Sequence, residues 1–554
     1  MRRLLRIYVV VGVLFSVNIV SAQNAALSFE SEGPEFNNAT EEYRALWNSD
    51  GSRIVRVLER LTGLTIQFPT SDATYLVPSF PSLTTVAGEA GNGIGDTTPI
   101  SVASGNRWFT EDGINAKVFT GSHTWASIID MNPTTFPDPD VPEFDYEGWV
   151  DELTAAGHNY MRLWTWGASM IDNYFGDGND QHLGPLPWNR VAGFGNAADG
   201  GLKFDLTSLN DDYFDRLRDR VLYARSKGMY VSVMLFEGWE TYQSGTQWRA
   251  AGNVFVSGNN VNSASADTNA DGSPYEQFEC SVTCSGTITT LQHLYIDRVL
   301  DTVADITNVH IEVCNECRDS TNMRTWSEHI VDYVQAYELA NSRYQHLVIR
   351  GIGGIGTDDG SWISGSSTDV VATGITFTGY TTLGTFPLSN STRPSIMDTD
   401  HFWGAGGTAI DMWEAFTRGH HPIYMDDPDG RCVACGGGFP NTATRASLGH
   451  IQTFTASLDL ADMAPSTAIS STQYALFSSG KEYLVLQPSN GSFTVNLSAG
   501  SGDTYTVTWL RTDTGVVQSG GTVAGGSAAQ SFANPFSGSP SGIVLKLDDG
   551  SGWR

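Results

Sequence analysis

The sequence predicts an α/β chain in which a (β/α)8 TIM barrel is followed by a small all-β sandwich. Short apolar runs alternate with amphipathic stretches of helical period, and polar or aromatic residues follow each run. This alternation is typical of a parallel sheet whose strands are joined by helices. From about residue 470, single apolar and polar residues alternate and Gly, Ser and Asn recur at short intervals. That second pattern predicts antiparallel strands packed as a sandwich.

The barrel is expected to fill residues 106–469. Seven runs are predicted as its strands, near 117–120, 160–164, 230–236, 309–313, 347–350, 395–399 and 422–425. The eighth strand is expected near 474–477. Helices are predicted between the strands at 146–156, 210–227, 291–304, 325–343, 409–418 and 445–458. The sandwich is expected to fill residues 470–554, and residues 23–105 are predicted to be irregular.

Residues 1–22 are predicted to be a cleavable signal peptide. Arg2, Arg3 and Arg6 precede an apolar run, and a small-residue cleavage site ends at Ala22. The run is short for a membrane span, and no other stretch is long and apolar enough to be one. We therefore expect a secreted or periplasmic protein with no membrane contact after cleavage.

The net charge of the chain disfavours some classes of binding partner. The chain carries 31 Lys and Arg against 61 Asp and Glu, a formal net charge of −30 at pH 7. This excess of acid argues against nucleic acid or an anionic membrane as a partner. It argues less strongly against an anionic polymer as substrate. The sequence leaves the oligomeric state open.

The six cysteines form three close pairs, Cys280/Cys284, Cys314/Cys317 and Cys432/Cys435. Export permits disulfides, which we expect to pin loops near the site, although the connectivity stays open. Two Cys-x-x-Cys pairs could alternatively form a four-sulfur zinc site. Cys314 is expected to point into the barrel near Glu316 and to stay reduced.

Residues 309–318 read VHIEVCNECR and contain the strongest candidate for catalysis. A predicted strand ends in Asn315-Glu316, and the C-terminal ends of barrel strands carry the chemistry of such folds. A carboxylic acid there can protonate a leaving-group oxygen, while Asn315 can hydrogen-bond a sugar hydroxyl. The alternative is a solvated glutamate at a strand end.

Aromatic and polar residues follow five of the predicted strands, as TGSHTW, RLWTW, EGW, DTDHFW and YMDDPD. Sugar rings have apolar faces and polar edges, so indoles mixed with carboxylates suit them. Any single Trp here could instead be core packing, and His123 could be a buried structural histidine. The candidate sugar-binding residues are His123, Trp125, Trp164, Trp166, Trp239, His401, Trp403 and Tyr424.

These motifs resemble the clan of retaining glycoside hydrolases, clan A, built on a (β/α)8 barrel. In that clan the acid/base follows an Asn at the end of strand four, matching Glu316. FTGSHTW, GHNYMRLWTW, NNVN, DTDHFWG and RGHHPIYMDDPDG resemble a bacterial branch often labelled cellulase-like. The tail from Tyr474 resembles a small β-domain often labelled collagen-binding, a label that does not establish collagen binding.

The resemblance implies a nucleophile at the end of strand seven, usually Glu, where the predicted strand count puts Asp426 and Asp427. Asp426 continues the strand, so we expect it and Tyr424 to face the pocket; the alternative is a structural aspartate that caps the next segment. Arg162 matches the clan arginine that contacts the nucleophile. The implied activity is hydrolysis of O-glycosidic bonds in a polysaccharide or oligosaccharide by retaining double displacement. The alternatives are an inverting enzyme on the same barrel and a non-catalytic carbohydrate-binding protein.

No cofactor is expected to be required, but one segment suggests a structural calcium ion. Asp267, Asn269 and Asp271 place oxygen ligands at alternate positions before Gly272, as a calcium loop begins. The closing glutamate of such a loop is missing, because Phe278 stands there. A plain turn rich in Asp and Asn is the favoured alternative.

Overall fold

The computed structural model describes residues 99–132, 144–171, 180–241, 243–244, 247–318, 320–352, 365–373, 393–398, 407–426 and 442–551. It also gives the backbone of three N-terminal strands, Arg6–Val10, Leu14–Asn18 and Ser28–Glu30, which pair antiparallel. The chain divides into one unit of residues Met1–Gly93 and a second of Ile94–Arg554. The signal peptide stays a prediction.

Eight parallel strands close into the predicted barrel, each pairing with the next in the chain and the eighth with the first. They are β1 (Gly121–Thr124), β2 (Tyr160–Leu163), β3 (Tyr230–Glu237), β4 (Val309–Asn315), β5 (Leu347–Ile352), β6 (Val370–Thr373), β7 (Ser395–Asp398) and β8 (His421–Met425).

The predicted strand count was wrong in one place. Val370–Thr373 is the sixth barrel strand and was not predicted. The strand expected near 474–477 does exist, as Ala475–Ser478, but it pairs within the C-terminal sheet. Ser395–Asp398 is therefore strand seven, and His421–Met425, which precedes Asp426, is strand eight.

Six described helices surround the barrel, each close to a predicted one. They are α1 (Tyr146–Ala155), α2 (Asp211–Ser226), α3 (Thr287–Val303), α4 (Thr321–Ala340), α5 (Ala409–Thr417) and α6 (Thr442–Thr455). Side-chain caps start several of them: Asn210 accepts a hydrogen bond from the Asp212 amide, and Ser320 accepts one from Met323. Within these described helices, none is long and apolar enough to cross a membrane.

The N-terminal end of the barrel is closed by aromatic side chains. Tyr160 and Tyr230 begin β2 and β3, and His310 and His421 lie at the start of β4 and β8. Phe109, from the strand pair Ser101–Val102 and Phe109–Thr110, stacks against His310 with ring centroids 5.5 Å apart. This end is a packed floor, so a functional site on the barrel is expected at the opposite end.

Short elements lie in the loops that follow β1, β2 and β3, at the other end. Asp130–Asn132, Gln181–Gly184 and Met170–Ile171 form a three-stranded sheet, and Trp188–Asn196 pairs with Leu202–Leu209. Gln243–Ser244 pairs with Gln247–Trp248. Single turns of 3₁₀ helix follow β3 at Trp239–Thr241, Arg249–Gly252 and Tyr275–Phe278. Two others, Leu460–Asp462 and Ser498–Gly500, come after α6, outside these loops.

The C-terminal segment is all β, as predicted. One sheet has the order β9 (Ala464–Pro465), β10 (Ala475–Ser478), β11 (Glu482–Gln487), β16 (Ile543–Asp548), β13 (Thr504–Arg511) and β14 (Val517–Ala524). The second pairs β12 (Phe493–Val495) with β15 (Gln530–Phe532). One face of the larger sheet packs on the smaller pair. Its other face packs on α5 and α6 of the barrel.

Candidate active site

Two carboxylate-bearing residues end barrel strands on the side opposite the aromatic floor. Glu316 follows the last residue of β4, and Asp398 is the last residue of β7. The Glu316 side chain is partly exposed, whereas Asp398 is buried. Carboxylates at the ends of different strands can converge on one substrate because the strands meet at one rim.

A buried guanidinium ties the strands together. Arg162, on β2, donates from Nη1 to Asp398 Oδ2 at 2.6 Å and from Nε to Glu312 Oε2 at 2.9 Å. The same Nη1 lies 3.4 Å from Asn315 Oδ1. His123 Nε2, on β1, lies 2.9 Å from Asp398 Oδ1. The partners of Asp398 are thus on β1 and β2, so its side chain faces the barrel axis. The predicted residues Arg162, His123 and Asn315 are brought together here.

Glu316 has an unusual backbone. Its φ is +45°, in the left-handed region that residues with a Cβ seldom adopt. Cys314 and Cys317 on either side of it form a disulfide, so the expectation of a reduced Cys314 was wrong. Cys280 and Cys284 form a second disulfide. The Cys314–Cys317 bond also removes one of the two Cys-x-x-Cys pairs on which the alternative of a four-sulfur zinc site depended.

Glu237, the last residue of β3, joins the site although the sequence reading did not single it out. It accepts hydrogen bonds from Asn315 Nδ2 at 3.1 Å and from the Trp239 amide at 2.8 Å. Burial, together with the charge of nearby Glu316, raises the pKa of Glu237 well above its ordinary value. The signal available in the sequence was its place at a strand end, just before Gly238-Trp239.

A second buried glutamate, also missed, fixes the loops that carry the tryptophans. Glu240 accepts hydrogen bonds from the amides of Gly167 and Ala168 and from Asn253 Nδ2, at 2.8–3.0 Å. Burial raises the pKa of Glu240 to about 8, and these donors oppose the shift. The clamp joins the segment after β2 to the segment after β3.

Five of the predicted sugar-binding residues form a continuous aromatic row. His123 stacks on Trp164 with centroids 5.3 Å apart, and Trp164 contacts Trp166 at 6.1 Å. Trp166 meets Trp239 edge-on at 6.0 Å, and Trp239 stacks with Trp125 at 6.5 Å. Trp164 and Trp166 are buried, as core packing would require. Trp125 and Trp239 are partly exposed and can present indole faces to a ligand.

Asp426 and Tyr424 do not face the pocket, contrary to expectation. Asp426 Oδ2 accepts hydrogen bonds from Trp149 Nε1 on α1 at 3.0 Å and from Arg445 Nε on α6 at 2.9 Å. Tyr424 donates to Asp426 Oδ1 and packs with residues of α5 and α6. Both side chains are wholly buried. Asp426 therefore joins β8 to the helical layer, because the partners on that side belong to helices.

Several predicted residues lie outside the described part of the chain: His401, Trp403, Asp427, Cys432 and Cys435. The segment proposed to bind calcium is described and forms a hydrogen-bonded turn. Asp267 accepts from the amides of Asp271 and Gly272, and Asn269 donates to Glu276. Among the described residues, no group of three or more His, Cys, Asp or Glu is arranged to hold a metal ion. The calcium site stays a prediction.

Comparisons with known proteins agree with the barrel. No family model matches the sequence, and no curated protein does. A solved structure described as a glycoside hydrolase aligns with a TM-score of 0.53 at 11% identity, covering 82% of this chain and 98% of the other. A family 5 glycoside hydrolase from Bacteroides vulgatus aligns with a TM-score of 0.54 at 12% identity, covering 82% and 94%. At such identity the likeness shows a shared fold. The barrel expected from the sequence is confirmed.

Proposed function

We propose that this protein is a glycoside hydrolase in which Glu316 and Asp398 cleave an O-glycosidic bond. One observation carries the proposal: Glu316 directly follows β4 and Asp398 ends β7 of a closed (β/α)8 barrel, and Arg162 hydrogen-bonds both Asp398 and Asn315, the residue before Glu316. The structural similarity to glycoside hydrolases supports the proposal, because those proteins share this barrel fold. Asp398 takes the role first expected of Asp426, because its partners lie on barrel strands and those of Asp426 on helices.

The proposed mechanism is a retaining double displacement. Glu316 donates its proton to the glycosidic oxygen while an Asp398 oxygen attacks the anomeric carbon, and the leaving sugar departs as an alcohol. Glu316, now ionised, removes a proton from water, which attacks the anomeric carbon of the glycosyl ester and frees Asp398. Arg162 offsets the negative charge of buried Asp398 before the attack. When the glycosyl ester is hydrolysed, the Asp398 carboxylate is restored and its ion pair with Arg162 forms again.

The substrate class proposed is a neutral polysaccharide or oligosaccharide. Trp125 and Trp239 offer partly exposed indole faces for the apolar side of a sugar ring. The formal charge of −30 would oppose an anionic polymer at long range. We propose secretion or export to the periplasm, which the two disulfides support.

The proposal is tested by digestion of a polysaccharide panel with product analysis. Wild type should release sugar, and Glu316→Gln should lower the rate by on the order of 100-fold to 10,000-fold, since one general acid–base group contributes that much. Glu147→Gln on the exposed face of α1 is a matched control and should retain the rate. Sugar release by wild type excludes a purely carbohydrate-binding protein, while unchanged activity in Glu316→Gln removes that residue from the mechanism.

The stereochemistry is tested separately. Proton NMR of the first sugar released should show the anomeric configuration of the substrate. An inverted first product would support the inverting alternative, in which a carboxylate activates water directly.

A further inference from the structure

The disulfide beside Glu316 has a feature that the second disulfide lacks: it closes around a residue in the left-handed conformation. Cys314 and Cys317 are both buried and their Cα atoms lie 6.0 Å apart, with Asn315 and Glu316 between them. A residue with a Cβ pays about 1–3 kcal/mol to hold such a backbone, so its surroundings must hold it there. The Cys314–Cys317 bond is one restraint of this kind.

The adjacent strands supply the other restraints. The Gly238 amide, just after β3, donates to the Asn315 carbonyl at 2.8 Å. A Cβ at position 238 would lie 2.6 Å from the Glu316 carbonyl oxygen and 2.7 Å from the Cys317 amide nitrogen. On the β5 side, a Cβ at Gly351 would lie 2.7 Å from the Cys314 carbonyl oxygen. The turn that carries Glu316 is thus enclosed by backbone on two sides and closed by a covalent bond on the third.

A disulfide over so short a segment restricts the unfolded chain less than a long-range one does, because chain-entropy stabilisation grows with the length of the closed loop. The same holds for Cys280–Cys284, which closes a four-residue separation before α3. Global stabilisation therefore does not distinguish the two bonds. What distinguishes Cys314–Cys317 is the residue that it encloses.

We infer that the Cys314–Cys317 disulfide is a positioning element of the active site, which fixes the Glu316 carboxyl where it can reach the glycosidic oxygen. The inference rests on the proposed function of Glu316 as acid/base. Positioning matters because a displacement of about 1 Å of a catalytic group can cost on the order of 100-fold in rate. Cys314 and Cys317 act through Glu316 and do not themselves contact the substrate.

The test compares two double variants, Cys314→Ser/Cys317→Ser and, as matched control, Cys280→Ser/Cys284→Ser. The probes are the 4-nitrophenyl and 2,4-dinitrophenyl glycosides of the sugar that wild type releases. For both, kcat/KM reports the first step. The 2,4-dinitrophenolate leaving group departs without being protonated. Displacement of the Glu316 carboxyl should therefore hardly slow cleavage of the 2,4-dinitrophenyl glycoside. We expect Cys314→Ser/Cys317→Ser to lose about 100-fold on the 4-nitrophenyl glycoside and far less on the dinitrophenyl one. The control should match wild type on both.

A second variant covers the case in which the double variant does not fold. Gly238→Ala keeps both disulfides, but its Cβ would collide with the Glu316 carbonyl oxygen. It should therefore also lose more activity on the 4-nitrophenyl glycoside than on the 2,4-dinitrophenyl glycoside. Equal losses on both glycosides, or none, in a variant with a wild-type melting curve would overturn the inference.

Crystal structures keep failure of the inference distinct from failure of the proposed function. In Cys314→Ser/Cys317→Ser, or in Gly238→Ala if the former does not fold, Glu316 should leave φ near +45° and its carboxyl should move. An unmoved Glu316 overturns the inference, whatever the activity. If wild type cleaves no glycoside, the proposed function fails, and a displaced Glu316 still supports positioning by the turn.

Discussion

At the scale of single residues, Asp398 and Asp426 differ in the layer of the barrel that each faces. Asp398 is hydrogen-bonded to His123 and Arg162, which lie on barrel strands. Asp426 is hydrogen-bonded to Trp149 and Arg445, which lie on helices. Both are buried and paired with arginine, so burial and charge do not separate them. The hydrogen-bond partners of the two aspartates do distinguish them. The same substitution should therefore have different consequences at position 398 and at position 426.

Asp398→Asn should lower turnover by on the order of 10,000-fold or more, because it removes the proposed nucleophile. Asp426→Asn should mainly destabilise the fold, by about 3 kcal/mol, since it removes the buried counter-charge of Arg445 and leaves that guanidinium only its ion pair with the exposed Glu152. Asp398→Asn should therefore lower kcat more than the melting temperature, and Asp426→Asn should lower the melting temperature more than kcat. Peptide mapping after inactivation with a 2-fluoro sugar should find the label on Asp398. A label on Asp426 would restore the first expectation.

Glu237 allows a prediction about its protonation state. Burial and the charge of Glu316 raise its pKa well above the ordinary value, which favours the uncharged carboxyl that glutamine resembles. Glu237→Gln should therefore keep kcat within several-fold of wild type at pH 7. Glu237→Ala should lose far more, because Asn315 Nδ2 and the Trp239 amide lose their acceptor. A Glu237→Gln variant as inactive as Glu237→Ala would mean that the ionised carboxylate is required.

At the scale of elements, the C-terminal sheet shares a hydrophobic core with the barrel. Leu484, Leu486 and Val544 pack with Trp413 and Phe416 of α5. All five side chains are fully buried. The other face of the same strands packs within the C-terminal segment itself, as the alternation of apolar residues in β11 allows.

Ending the chain near Ser470 should destabilise the barrel, because it would expose Trp413 and Phe416 to water. Burying one such aromatic side chain contributes about 1.5–3 kcal/mol. The truncated protein should melt at a clearly lower temperature or fail to remain in solution. A truncated chain with wild-type melting temperature and activity would show that the sheet is an independent accessory domain.

The sequence predicted the barrel from its alternation, but it did not predict which strands close it. The sixth strand is only VVAT, and no candidate site residue marks its end. The run at 474–477 has clear strand character, yet local pattern does not determine which sheet a strand joins, since that depends on distant partners. This single error in count moved Asp426 to the place of Asp398. The strand before Glu316 was predicted correctly because it has seven residues, with β-branched apolar side chains at the alternate positions Val309, Ile311 and Val313.

At the scale of the whole molecule, four buried histidines link stability to pH. His158 and His421 have pKa values lowered to about 4, and His310 and His420 to about 3, in each case chiefly by burial. Their hydrogen bonds suit neutral rings: His158 lies 2.9 Å from the Arg445 carbonyl, and His421 Nδ1 accepts from the Phe119 amide. These residues lie between strands or at the aromatic floor, so protonating them would place charge in the core.

The free energy of unfolding should therefore fall as the pH drops below about 6.5, the ordinary pKa of histidine. Below that pH the unfolded chain binds protons that the folded chain does not bind until about pH 3–4. Each ring should contribute up to about 1.4 kcal/mol per pH unit, a limit reached about one unit below pH 6.5, so the four together set a steep acid limit.

Urea unfolding at pH 7, 6 and 5 measures the slope. His310→Phe removes one titrating ring from an aromatic environment and should reduce the slope between pH 6 and pH 5 by up to about 1.4 kcal/mol per pH unit. Tyr160→Phe removes only the hydroxyl 3.3 Å from His310 Nδ1 and should leave the slope unchanged. A slope that is the same in His310→Phe as in wild type would mean that this ring is already charged in the folded protein.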